Sequence, residues 1–120
     1  MIFSEHEEQK NLIKWWSLYS KSEGIPEELL FAIPNGGKRS VQTSRVLQSE
    51  GVRPGVPDLF LAYPCYGFSG LFIEMKRKKG GHVSEAQKEY IALLEENGYH
   101  AIVCNGFDEA REALTTYIMG

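Results

Sequence analysis

The chain has 120 residues, 42% of them hydrophobic and 24% charged, with 13 basic and 16 acidic side chains and a net charge of −3. That length suits one domain over residues 1–120, large enough to bury a core without disulfides. No apolar run approaches the ~20 residues of a membrane helix, and the overall charge speaks against a coat protein for nucleic acid.

The start, MIFSEHEEQK, is acidic and polar, unlike a secretory leader. Residues 4–21 read as an amphipathic helix. Ser4 caps it, Glu7 follows three residues later, and Leu12, Trp15, Trp16 and Tyr19 recur at helical spacing. Gly24-Ile25-Pro26 breaks the pattern, and residues 29–33 form a short apolar run closing on Pro34, a strand. Asn35-Gly36-Gly37-Lys38-Arg39 reads as a flexible basic loop. Residues 40–50 form a second helix with Val41, Val46 and Leu47 on its apolar side, stopped by Gly51. Residues 52–58 hold Pro54, Gly55 and Pro57 and read as a loop of fixed shape. Two strands follow, 59–63 and 71–76, with a turn-like linker at 64–70. After a basic glycine loop at 77–82, Ser84 caps a helix running to about Asn97, and Gly98 ends it. Residues 100–104 form a fourth strand and 107–118 a last amphipathic helix. The order αβαββαβα predicts an α/β fold, a mixed sheet with helices on both faces.

The hairpin carries the chemistry. Its linker is centred near Tyr66, so antiparallel pairing sets Asp58 across from Glu74. Facing positions have Cβ atoms ~4.5–5.5 Å apart, close enough for two carboxylates to share a cation. Glu74 and Lys76 are two apart in one strand and point to one face. Adjacent carboxylates repel and call for a positive partner; Mg²⁺, with its preference for oxygen ligands and retained waters, suits the need. Such an ion activates water and stabilises charge at phosphorus, and a lysine can assist, so the set fits phosphodiester hydrolysis. A structural salt bridge of Lys76 with one carboxylate is the alternative reading of these three residues. The basic residues collect at Lys38-Arg39, Arg45, Arg53 and 76–79, around the proposed site, and the acidic ones in helical stretches. For a phosphodiester hydrolase, Asn35, Lys38, Arg39, Arg53, Lys78 and Lys79 are the expected nucleic-acid contacts.

Gly55-Val56-Pro57-Asp58, then Phe72-Ile73-Glu74-Met75-Lys76, then Ser84-Glu85-Ala86-Gln87 resemble the VRR-NUC (virus-type replication-repair nuclease) domain of the PD-(D/E)xK, restriction-endonuclease-like superfamily. Phe31-Ala32-Ile33-Pro34-Asn35-Gly36-Gly37 and Glu50-Gly51-Val52 extend the likeness to nearly the whole chain. The resemblance implies a Mg²⁺- or Mn²⁺-dependent DNA endonuclease with that fold. Asp58, Glu74 and the Met75 carbonyl would be metal ligands, Lys76 the catalytic lysine, and Gln87 would point into the site. A first-helix glutamate completes such sites, here Glu5, Glu7 or Glu8. Glu8 is favoured because Leu12 and Trp16 follow it at steps of four. The resemblance also implies a homodimer acting on branched DNA such as Holliday junctions in DNA repair, and a cytoplasmic setting in a bacterial or phage-infected cell. A catalytically idle DNA-binding module with the same fold is the alternative, and the complete set Asp58, Glu74, Lys76 and Gln87 speaks against it.

Trp15-Trp16 suggests one core and one interface residue rather than a base-stacking platform. Cys65 and Cys104, and the histidines His6, His82 and His100, show no metal-ligand spacing.

Overall fold

The computed structural model describes residues 2–34 and 41–120. The elements are α1 (Glu5–Ser22), a 3-10 turn (Glu27–Leu29), β1 (Leu30–Ala32), α2 (Val41–Ser49), β2 (Leu59–Leu61), β3 (Leu71–Lys76), α3 (Glu85–Glu96), β4 (His100–Asn105) and α4 (Phe107–Met119). Their order matches the sequence pattern. The basic loop at 35–39 lies outside the described residues.

Two helices begin in the same way. Ser4 Oγ accepts the Glu7 N–H at 3.2 Å while Glu7 Oε1 accepts the Ser4 N–H at 3.0 Å. Ser84 and Gln87 repeat the exchange at 3.2 and 2.9 Å. Each box satisfies two amides at a helix start and fixes where that helix begins.

The sheet order is β1-β2-β3-β4, with the first two pairings antiparallel and the last parallel. A parallel step needs a crossover, and α3 supplies it. The β2–β3 register pairs Leu59 with Ile73 and Leu61 with Leu71, centred on Tyr66 as the sequence predicts. At the tip, Cys65 and Phe68 exchange backbone hydrogen bonds of 3.1 and 2.9 Å. The two residues between them, Tyr66 and Gly67, both take positive φ, 48° and 88°, the twist-matched form of a two-residue hairpin turn.

β1 is shorter than the run at 29–33, because Leu29 closes the 3-10 turn. Pairing nevertheless reaches one residue past each end, through Ala62 N–H to Leu29 O at 2.8 Å and Ile33 N–H to Asp58 O at 2.7 Å.

Side-chain alternation divides the sheet. Leu30, Leu59, Leu61, Leu71, Ile73, Met75 and Cys104 are buried in one core with Leu12 and Trp16 of α1 and Ala110, Leu114 and Tyr117 of α4. The intervening residues of β2 and β3 point the other way. Phe60 and Phe72 stack there with ring centres 4.2 Å apart, and Glu74 and Lys76 continue that side of β3. α3 covers this second side, since Gln87 reaches Glu74. Of the tryptophan pair, Trp16 is core, its indole N–H bonded to Glu27 O at 3.0 Å. Trp15 is half-buried, stacked on Tyr19 at 4.7 Å and edge-on to Phe107. No helix among the described residues is long and apolar enough to cross a membrane.

The core makes a stability contrast inside one chain. Leu114 is fully buried and Leu93 is 54% exposed. Leu114→Ala should lower unfolding free energy by about 2–5 kcal/mol, and Leu93→Ala by no more than about 0.5 kcal/mol. Urea titration followed by circular dichroism measures both, and equal losses would contradict this core.

Candidate active site

Continuing the β2–β3 register one step past Leu59↔Ile73 sets Asp58 opposite Glu74, and a further step sets Pro57 opposite Met75. Proline has no N–H, so it offers nothing to the Met75 carbonyl, and the regular ladder stops. The Met75 N–H instead donates to Asp58 Oδ2 at 2.8 Å. A strand residue's N–H and C=O point to the same edge, so the Met75 carbonyl also faces the Asp58 side.

Gly55 places the turn before Asp58. Its φ is +86°, and a Cβ there would run into the Ala86 carbonyl at the start of α3. The glycine therefore lets the Asp58 turn lie directly on the helix that carries Gln87. Gln87 itself is spoken for at both ends. Its Oε1 accepts the Ser84 N–H in the capping box, and its Nε2 donates to Glu74 Oε2 at 3.1 Å. Lys76 Nζ lies 3.4 Å from the same Glu74 oxygen. Gly81 lies over the Lys76 stem, where a Cβ would come within 2.9 Å of Lys76 Cβ.

Carboxylate oxygens of Glu5, Asp58 and Glu74 all lie within 4.8 Å of one another. Glu74 is 2% exposed. Burial pushes its carboxyl up to about 8; the Asp58 charge and a carboxyl–carboxyl hydrogen bond to Asp58 push the same way, while Lys76 opposes them. A cluster of hard oxygens, one of them on a buried carboxyl pushed upward, has the chemistry of a site for a small divalent cation. A cleft of about 410 Å³ opens onto Asp58 and Glu74, walled by Leu47 and Gln48 of α2, by 52–56, and by Ser84, Ala86 and Gln87. A second groove of about 530 Å³ lies between β4, α4 and the hairpin tip, and none of the three carboxylates lines it.

The three first-helix glutamates part ways in the structure. Glu5 stands in the cluster. Glu7 is occupied by the capping box. Glu8, favoured from helical spacing, does face the core, and for that reason it is 1% exposed with Oε1 on the Phe107 N–H at 3.1 Å. Periodicity reports the face of a helix but not its height, and Glu5 sits at the very first position of α1. Of the expected DNA contacts, exposed Arg53 lines the cleft while donating to Gln48 O at 3.1 Å. Lys78 leans away to Asp108 at 3.5 Å, and Lys79 is exposed. Asn35, Lys38 and Arg39 lie outside the described residues. Gly55 stands in the motif that leads to Asp58, but the sequence does not show that it packs on α3, and nothing in it sets Gly81 apart within its basic loop; both are close backbone approaches that glycine alone permits.

The model of the VRR-NUC domain family matches residues 2–108. A solved structure described as a VRR_NUC domain protein superposes with a TM-score of 0.83 at 28% identity, covering 99% of this chain and 91% of that one. Among curated proteins no sequence matches.

The raised Glu74 carboxyl sets a pH dependence. Its folded value, about 8, lies above an ordinary 4.5, so the folded state holds a proton that the unfolded chain gives up. The associated stability is complete below the unfolded value and is lost as pH rises through about 8. Chelator-treated protein should therefore unfold at progressively lower urea between these limits, and Glu74→Gln should flatten that trend. A wild-type trend that survives the substitution would assign it to another group.

Proposed function

The chain belongs to the VRR-NUC nuclease family, and from that premise we propose that it is a Mg²⁺- or Mn²⁺-dependent endonuclease hydrolysing phosphodiester bonds in DNA. The observation that carries the reading is the convergence of Glu5, Asp58 and Glu74 oxygens within 4.8 Å, with Lys76 3.4 Å from Glu74. The nuclease domain takes in all of residues 1–120.

Glu5, Asp58, Glu74 and the Met75 carbonyl would hold the ion. When bound, it supplies Lewis-acid stabilisation of charge at phosphorus and an acidified water. Asp58 is held by the Met75 N–H and Glu74 by Gln87, so both ligands are oriented before substrate arrives. Lys76 presents an ammonium beside them, its stem confined by Gly81, to orient the attacking water and stabilise developing negative charge. Water attacks phosphorus and the P–O bond to the leaving nucleoside breaks.

DNA lies over the cleft, met by Arg53 and Lys79, with Lys78 released from Asp108, and by Asn35, Lys38 and Arg39. Branched DNA, the Holliday junction in particular, is the substrate and a homodimer the working form; two-fold symmetry offers one site to each of two strands. Such an enzyme works in the cytoplasm, in DNA repair.

Asp58→Asn and Glu74→Gln should each abolish cleavage of labelled linear, flapped and four-way DNAs in Mg²⁺ or Mn²⁺ while leaving the circular dichroism spectrum unchanged. Folded variants with full activity would end the assignment.

Replacing Arg53 and Lys79 with alanine should reduce the slope of log affinity against log salt by roughly 0.9 for each phosphate that is no longer neutralised. Affinity measured over a salt series in Ca²⁺ would reveal it, and an unchanged slope would put both residues away from DNA.

A further inference from the structure

Glu8 is a buried acidic side chain outside the carboxylate cluster, and its placement is specific. Oε1 takes the Phe107 N–H from the far end of the chain, and Oε2 is buried with no hydrogen-bond partner among the described residues. A carboxyl held this way is costly and calls for a reason. The preceding amide, Gly106 N–H, donates to the carbonyl of Lys76 at 2.8 Å. Two successive N–H groups between β4 and α4 therefore grip α1 through Glu8 and β3 through Lys76. Gly106 takes φ 96° and ψ 174°, a conformation essentially confined to glycine. A Cβ there would lie 2.6 Å from Lys78 Cγ and 3.2 Å from Glu8 Oε2, so the junction leaves no room for a side chain at 106.

α1 behaves as a rod whose first turn is fixed by the Ser4–Glu7 box. Glu5 stands three residues before Glu8, so both lie on neighbouring positions of one helix side. Pinning Glu8 to the Phe107 amide thus fixes how far the start of α1 stands from β3, and with it the reach of Glu5 to Asp58 and Glu74. Trp15 packs edge-on to the Phe107 ring, a contact separate from the Phe107 N–H that Glu8 takes.

We propose that Glu8 is a positioning residue for the metal site: through the Phe107 N–H it holds Glu5 against Asp58 and Glu74 without touching the ion. This rests on the metal-nuclease reading above. The probe is Mn²⁺ alone, titrated into the full chain and followed by electron paramagnetic resonance, with urea stability measured in parallel. Wild type should bind; no binding by folded wild type would sink both the reading and this inference. Given wild-type binding, Glu8→Ala should weaken Mn²⁺ by about 10-fold or more, the effect expected when support for a ligand is removed. Glu8→Gln keeps an oxygen for the Phe107 N–H and should restore near-wild-type affinity. In a double-mutant cycle, Glu8→Ala added to Glu5→Gln should cost less than about two-fold further, because Glu8 acts through Glu5. Should Glu8→Ala fail to fold, the donor side decides. Phe107→Pro removes the N–H at a first helical position, where proline is tolerated, and Phe107→Ala removes only the ring. The proline variant should weaken Mn²⁺ and the alanine variant should not. Loss of stability with Mn²⁺ affinity unchanged, or multiplying effects of Glu5 and Glu8, would leave Glu8 a structural tether and overturn the proposal.

Discussion

The candidate site depends on how the β2–β3 ladder ends. A regular antiparallel pair would continue past Leu59↔Ile73 with a backbone exchange two residues on, between positions 57 and 75. Pro57 cannot donate, so the backbone exchange gives way to one bond from the Met75 amide to the Asp58 side chain. That bond does two things. It satisfies the Met75 amide, and it holds the Asp58 carboxyl facing Glu74. The meeting of the Asp58 and Glu74 carboxyls follows from the same register, and it adds to the upward push that burial exerts on Glu74.

Around that ladder end, the remaining parts are secured in pairs. The starts of α1 and α3 are capping boxes, and in each the third residue does a second job or frees a neighbour to do one. Gln87 caps α3 with its oxygen and holds Glu74 with its nitrogen. In α1, Glu7 closes the box, leaving Glu5 free to join the cluster and Glu8 free to face inward. Three glutamates within four residues thus have three environments: one exposed among carboxylates, one capping, one buried against α4. Glycines complete the fit where backbone must pass at van der Waals range, Gly55 against α3 and Gly81 against Lys76.

The element order, the mixed sheet with helices on both sides, and the Tyr66-centred hairpin were legible in the sequence because each rests on local or near-local rules. Alternation in 71–76 set which side chains face the core, and a turn of known centre set which residues face each other. Asp58, Glu74 and Lys76 come together for that reason alone, and the Ser4 and Ser84 caps were readable from spacing. The motifs that carry the VRR-NUC likeness are the same residues, which is why the family was visible in the chain before its fold.

What only the tertiary structure decided is the meeting of parts distant in sequence. A helical period of four correctly put Glu8 on the inward side with Leu12 and Trp16, but it carries no information on how far along its axis α1 is set against β3. In the folded molecule Glu8 meets the Phe107 N–H, 99 positions away, and it is Glu5 that stands in the cluster. The direction taken by Lys78, toward Asp108 rather than the cleft, is likewise a matter of which helix start lies beside the loop. Sequence spacing resolves the face of an element and the register of a hairpin. The relative height of packed elements comes from contacts between side chains far apart in the chain, and so it appears only in the folded molecule.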